Sequence, residues 1–139
     1  MTDRTAVLFA NAAFYTAFYN RDIKAMERVW SKDRPVSCIH PGWPALIGRD
    51  DVLRSWRGIL GNTNAPKIKC RGESVEIYGD TAVIICVEDL ADQQYLIATN
   101  VFVRAGSVWA MVHHQAGPAN IDPTSFGEDE DDEPDGPVN

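Results

Sequence analysis

The hydrophobic rhythm of this chain changes once, near residue 66, and that change limits the fold more than any other feature. Before it, apolar residues recur at steps of three and four; after it, they recur at every second position. Residues 5–20, TAVLFANAAFYTAFYN, place Val7, Ala10, Phe14, Ala17 and Phe18 on one helical face, and no Pro or Gly interrupts them. Asn20-Arg21-Asp22 breaks the pattern. Asp22 is a good N-cap for a second helix, residues 23–30, with Ile23, Met26, Val29 and Trp30 on one side. Residues 36–40 predict a short strand. His40-Pro41-Gly42-Trp43-Pro44 is a loop, because two prolines and a glycine leave room for neither a ladder nor a helix. Gly48-Arg49-Asp50 opens a third helix over about 50–60, and Gly61-Asn62 ends it.

The second half predicts four strands, about 67–78, 81–90, 94–104 and 107–116, with Gly79-Asp80 and Ala105-Gly106 as two-residue hairpin loops. Helices early and strands late argue for an α+β fold, with helices on one face of an antiparallel sheet. These loops set a register. Ile77 faces Ala82, Val75 faces Ile84 and Arg71 faces Glu88; Phe102 faces Trp109, Asn100 faces Met111 and Ala98 faces His113. Glu88 then shares the helix-covered face with Ala82, Ile84 and Cys86. Asn100, His113 and Gln115 share a face beside Phe102, Trp109 and Met111. Val83, Ile85 and Val87 line the opposite side of their strand, so both sheet faces want a cover. Three helices cover one, and a second subunit would cover the other, which predicts a homodimer joined through the sheet.

Charge divides the chain differently. The net charge of −7 belongs to residues 119–139, which hold eight acids and no Lys or Arg, whereas residues 1–118 hold 13 basic and 12 acidic groups. This predicts a folded domain over 1–118 and an acidic tail over 119–139, either a disordered solvating segment or an interaction tail. Neither part offers the basic face that a nucleic-acid partner requires. No apolar run approaches the roughly 20 residues of a membrane span. MTDRTAVLFANAAF has no basic n-region or cleavage site, and is not expected to be a signal peptide. Cys38, Cys70 and Cys86 lack metal spacing and read as buried free thiols, which fits a reducing cytoplasm. His113 and His114 are adjacent, so in a strand they point to opposite faces and cannot chelate one ion together. No metal and no cofactor are expected.

Four segments in this order, NRDIKAMERVW, VSCIHPGWPALIGRDDVLRSW, YGDTAVI and TNVFVRAGSVWAMVHHQAGP, resemble the SnoaL-like branch of the nuclear transport factor 2-like superfamily, which includes ketosteroid-isomerase-like proteins. The resemblance covers about residues 5–118. It implies a cone-shaped α+β fold, three N-terminal helices packed on a curved, mainly antiparallel sheet, with a pocket between the layers, and it implies a dimer. It implies no single reaction, because this fold hosts isomerases, cyclases, dehydratases, hydrolases and non-catalytic domains. Three departures stand out. The Asp base and Tyr/acid oxyanion hole of the ketosteroid isomerases are not placed in this sequence. The final strand offers His113, His114 and Gln115 where the polyketide cyclase branch has a late-strand acid. Asn100 stands where the kinase association domains have a buried Arg.

The candidate chemistry is acid/base. Glu88 on the covered face would be desolvated, which raises its pKa toward that of a useful general base; the alternative is a structural ion pair with Arg71. Glu88 or His113 would move a proton, and Asn100 would hydrogen-bond a substrate oxygen. Asn100, His113 and Gln115 form either a ligand site or a buried network that holds the register. His40 and Trp43 lie at the rim. His40 is a general acid/base or a loop histidine bonded to freed carbonyls. Trp43 is a pocket lid or a core cap, and Trp56 is core packing or pocket wall. No nucleophile elbow and no phosphate loop is present. The sequence thus predicts a pocket for a small apolar or aromatic ligand with cofactor-independent isomerase or dehydratase chemistry. The alternative is a non-catalytic homodimeric binding or assembly module.

Overall fold

Thr2 opens the first helix, its hydroxyl accepting the Thr5 amide at 3.1 Å. In the computed structural model, which describes residues 1–92 and 94–126, this helix, α1, spans Asp3–Tyr19. Its buried face is Val7, Asn11, Phe14, Tyr15, Ala17 and Phe18. Asp22 caps α2 (Ile23–Val29) as expected, accepting the Ala25 amide at 3.1 Å. Two short strands follow, β1 (Ser37–Ile39) and β2 (Leu46–Ile47), and then α3 (Arg49–Gly61). Gly48 precedes α3 at φ +99°, a conformation that L residues resist. The meander is β3 (Lys69–Tyr78), β4 (Thr81–Asp89), β5 (Tyr95–Ala105) and β6 (Val108–Pro118).

Arg49 ties the helical layer together. Its guanidinium donates to the carbonyls of Trp30 at 2.8 Å, Ser31 at 3.0 Å and Glu27 at 3.0 Å, which the end of α2 leaves without helical partners. A lysine has no planar fork to reach all three. Arg49→Lys is therefore expected to cost about 2–3 kcal/mol in a urea unfolding experiment, since charged hydrogen bonds of this kind contribute about 1.5–3 kcal/mol.

The six strands lie in the order β2-β1-β6-β5-β4-β3, every neighbouring pair antiparallel except β1 with β6. The fold is α+β, three helices against one face of a curved sheet, as expected. The Gly79-Asp80 loop stands where it was predicted: Ile77 opposes Ala82 and Val75 opposes Ile84. Two bulges then change what faces inward. Gly72, at φ +64°, starts a register shift between Arg71 and Ser74, so that Cys70, not Arg71, opposes Glu88. A side chain at 72 would also place its Cβ 3.0 Å from Phe126 Cβ. Arg71 opposes Val87 and pairs with Asp89 at 2.7 Å, which removes the expected Glu88–Arg71 pair.

The second hairpin loop is Gly106-Ser107, not Ala105-Gly106, since Ala105 opposes Val108. That change moves the pairing by two and preserves which side chains face inward. The bulge at Val112 does not: Phe102 opposes Met111, but Val101 opposes His113 and Asn100 opposes His114. His114 thereby replaces His113 on the helix-covered face.

The core between helices and sheet is filled by Phe14, Trp30, Trp56, Met26, Ile84, Phe102 and Met111, all essentially without exposure. The outer sheet face keeps Ile85 47% and Ile97 39% exposed, beside half-buried Val83, Val101 and Val103. Residues 123–126 form a 3-10 turn, and Phe126 lays its ring 6.0 Å from that of Tyr95. The rest of the acidic tail, residues 127–139, lies outside the described residues. No helix among the described residues is long and apolar enough to cross a membrane.

Candidate functional site

Asn11 and Tyr15 are four residues apart, so α1 presents both on its buried face, one turn above the other. Strand parity brings Cys86 and Glu88 of β4, Asn100 of β5 and His114 of β6 to meet them. The result is a continuous hydrogen-bonded chain inside an apolar core. His114 Nδ1 lies 2.6 Å from Asn100 Oδ1; an amide oxygen only accepts, so Nδ1 carries the proton. Asn100 Nδ2 donates to Asn11 Oδ1 at 2.8 Å and to the Tyr15 hydroxyl at 3.1 Å. Tyr15 donates to Glu88 Oε2 at 2.7 Å. His114 Nε2, left with its lone pair, is 3.8 Å from the same carboxylate oxygen.

Burial sets the protonation of each member. It pushes the Glu88 carboxyl up to about 7, against the pull of the Tyr15 hydrogen bond. It holds His114 down to about 3, with His40 and His113 adding repulsion. Tyr15 is raised well above the ordinary phenol range, by burial first and by Glu88 next. At neutral pH the phenol keeps its proton and the imidazole stays neutral. Glu88 is the member of this chain that exchanges a proton near pH 7.

His40 sits apart from this chain. Its Nε2 is 2.9 Å from the Ser55 hydroxyl, which itself donates to the Val52 carbonyl at 2.7 Å, so Nε2 carries the proton. The expected bonds from His40 to loop carbonyls are replaced by this side-chain partner. Its ring stacks edge-on against Trp43 and Trp56, both at 4.8 Å between centroids, and burial lowers it to about 4. Trp43 is 45% exposed and lines an outer hollow of about 530 Å³ with Leu46, Ser55 and Ile59. Trp56 has no exposure and packs on Phe14, Phe18 and His40.

Two predicted site residues lie elsewhere. His113 is on the outer sheet face, its Nδ1 2.7 Å from the Ser37 hydroxyl, and Gln115 is exposed. Both corrections follow from the single extra residue at Val112. Asn100 and Glu88 do converge, and with them stand Asn11, Tyr15 and His114, which sequence reasoning did not select. The signal was there in α1: two hydrogen-bonding residues, four apart, on an otherwise apolar stripe.

Glu88, Asn100 and His114 line none of the four hollows described among these residues. The hollow that comes nearest holds about 360 Å³ and is lined by Tyr15, Tyr19, Ile68, Lys69, Cys70 and Glu73, among others. Tyr15 is the donor to Glu88, and the Cys70 sulfur accepts from Asn11 Nδ2 at 3.6 Å. Among the described residues, no three His, Cys, Asp or Glu side chains are grouped to hold a metal ion.

Comparison with known proteins gives a consistent family. A candidate dehydratase of the NTF2-like family from Streptomyces avermitilis is 34% identical, with a TM-score of 0.75 over 84% of this chain and 96% of that one. A candidate calcium/calmodulin-dependent protein kinase type II association domain from Thiobacillus denitrificans is 31% identical, with a TM-score of 0.70 over 80% of this chain and 93% of that one. The F-box protein SKIP8 of Arabidopsis thaliana is 28% identical over 118 residues, 84% of this chain and 51% of that protein, so the chain spans about half its length. The family model of the SnoaL-like domain matches residues 7–120. That match takes in α1 from Val7 onward, α2, α3 and the whole sheet, and the chain belongs to the SnoaL-like family within the NTF2-like superfamily.

Proposed function

We propose that the chain is a cofactor-independent acid/base enzyme of the dehydratase or isomerase type, acting on a small carbonyl compound, with Glu88 as the proton carrier. One observation carries this reading. Glu88 is 1% exposed, yet its hydrogen bond comes from a phenol and its nearest basic group is a neutral imidazole. A carboxyl in such surroundings gives and takes a proton near neutral pH, which is what general acid/base catalysis needs. The candidate dehydratase at 34% identity is in line with it.

In this reading, substrate enters by the hollow floored by Tyr15 and Cys70. Its carbonyl oxygen takes the Tyr15 hydroxyl and the Asn100 amide as donors by displacing their present bonds to Glu88 and Asn11. Ionised Glu88 removes the proton α to the carbonyl, and the two donors stabilise the enolate oxygen. Collapse of the enolate forms the carbon–carbon double bond. In dehydration the β-hydroxyl leaves and takes the proton from Glu88 as water; in isomerisation Glu88 returns the proton to the γ-carbon. His114 orients Asn100 through its 2.6 Å bond; His113, which the sequence reading offered as a proton carrier, has no part in this scheme.

The test is a panel of small β-hydroxy ketones and β,γ-unsaturated ketones, followed by the absorbance of the conjugated enone. The wild-type chain is expected to turn over members of the panel, and Glu88→Gln to lose at least about 100-fold, the usual contribution of a general base. Equal turnover by both proteins would sink the proposal. Absence of turnover by either would leave the field to a non-catalytic binding or assembly module.

The outer sheet face supports a second part of the proposal, a homodimer through the sheet. Ile85, Ile97, Val83, Val101 and Val103 form an apolar patch on two neighbouring strands. An aspartate there would have to be buried unpaired. Sedimentation velocity is expected to give a dimer for the wild type and a monomer for Ile85→Asp; a wild-type monomer at micromolar concentration would rule the dimer out.

A further inference from the structure

We propose that the outer hollow lined by Trp43 and α3 is a second ligand site, for an uncharged planar aromatic molecule that carries a hydrogen-bond donor. Its volume of about 530 Å³ falls in the range of about 300–1,000 Å³ usual for small-molecule sites. None of its lining residues belongs to the polar chain around Glu88, so the proposal stands apart from the enzymatic reading.

Trp43 is one wall, and the chain holds it rigidly. His40-Pro41-Gly42-Trp43 is a tight turn, in which the Trp43 amide donates to the His40 carbonyl at 2.9 Å and Gly42 takes φ +80°. Proline second and glycine third are the residues such a turn calls for. The turn itself has no use for a large aromatic at its fourth position. The indole leans edge-on against His40, 4.8 Å between centroids, and keeps 45% of its surface exposed. A fixed ring of this kind offers contact area with little rotamer freedom left to lose on binding.

Gly58 is a second wall, and it is the independent observation that points to a ligand. It is the tenth of thirteen residues in α3, an interior position where only proline is a poorer helix former. Its φ is not positive, and a Cβ built there meets no heavy atom within 4 Å among the described residues. Neither backbone strain nor crowding asks for glycine. What the missing side chain does is leave bare helix backbone in the hollow that Trp43 also lines, room for a flat ring to lie against both. Leu46 and Ile59 add apolar sides.

The polar groups set the rest of the ligand. The Ser55 hydroxyl accepts from His40 Nε2 at 2.9 Å and donates to the Val52 carbonyl at 2.7 Å. A hydroxyl has one proton and two lone pairs, so what remains at Ser55 is an acceptor, and the ligand must bring the donor. The charged residues of the lining, Arg54 and Asp51, pair with each other at 2.7 Å. The hollow therefore presents no net charge, which suits a neutral ligand.

The experiment adds indole to the full chain and follows 1H-15N spectra. Saturable shifts are expected at the Trp43 indole N–H and at the amides of Ser55, Gly58 and Ile59, with those of Asn11, Tyr15, Glu88 and Asn100 unmoved. Benzofuran, a ring of the same shape without the N–H, should bind at least about 3-fold more weakly, the loss for one neutral hydrogen bond. Gly58→Leu should abolish indole binding while melting no lower than the wild type, because leucine fills the hollow and is the better helix former. Trp43→Ala, a change at an exposed ring, should weaken indole at least about 10-fold. Shifts that stay linear to the solubility limit, undiminished binding by Gly58→Leu, equal affinity for benzofuran, or shifts centred on Tyr15 and Glu88 would each overturn the proposal.

Discussion

Replacing Trp56 with alanine is expected to lower the unfolding free energy by about 3–5 kcal/mol, the range for removing a large aromatic from a packed core. The indole has no exposure, and it joins both halves of the helical layer to the sheet. Its ring centre is 5.0 Å from that of Phe18, 5.5 Å from Phe14, 4.8 Å from His40 and 5.9 Å from His114. For a domain with a typical stability of about 5–15 kcal/mol, the variant would be close to unfolding. Trp56→Phe is expected to recover most of the loss. It keeps the edge-to-face contacts and removes an indole N–H that is buried without a partner among the described residues. Guanidinium unfolding followed by far-UV circular dichroism measures both. A loss below about 1 kcal/mol for Trp56→Ala would mean that the ring walls an open pocket, contrary to the packing described above.

Glu88→Gln is expected to stabilise the protein at pH 8 while removing the proposed activity. The Glu88 carboxyl is raised from 4.5 to about 7 on folding. The native state therefore binds more protons than the unfolded chain between those values, and stability falls as pH rises through that window. The shift corresponds to about 3 kcal/mol, present below pH 4.5 and lost above pH 7. Glutamine keeps an oxygen to accept from Tyr15 and never ionises. The variant should exceed wild type by about 2–3 kcal/mol at pH 8, with the difference vanishing below about pH 4.5. His40 and His114, lowered to about 4 and about 3, act with the opposite sign. They destabilise the fold as pH falls below 6.5, but equally in both proteins, so the difference isolates Glu88. A buried charge retained at this cost is what a working acid/base group requires and a purely structural one does not.

How much of this was legible without coordinates depended on which quantity each residue reports. That Glu88 shares a face with Ala82, Ile84 and Cys86 was readable from its own strand, whatever the neighbours do; which face the helices cover was not fixed there, since Val83, Ile85 and Val87 are apolar at the other parity. The Gly79-Asp80 loop was readable because its turn needs glycine at φ +63°. Pairing across strands was not readable past a bulge. At Gly72 an isolated glycine within a strand was a signal that could have been used. At Val112 there was none, since a bulged valine looks like any strand valine, and that one residue exchanged His113 for His114. The polar chain was only half legible: α1 showed two hydrogen-bonding residues four apart on an apolar stripe, but not what they would meet. Tyr15 and Asn11 matter because their side chains reach Glu88 of β4 and Asn100 of β5, a tertiary fact that helical periodicity does not contain.

The central claim is that Glu88 is a desolvated carboxyl poised near neutrality. The most direct measurement is its 13C carboxyl shift followed by NMR against pH in the free protein, with Glu88→Gln used to assign the signal. The account expects a midpoint near pH 7, set by burial against the Tyr15 hydrogen bond. A midpoint below about 5, in the ordinary carboxylate range, would mean a hydrated or charge-paired group, and would contradict the account.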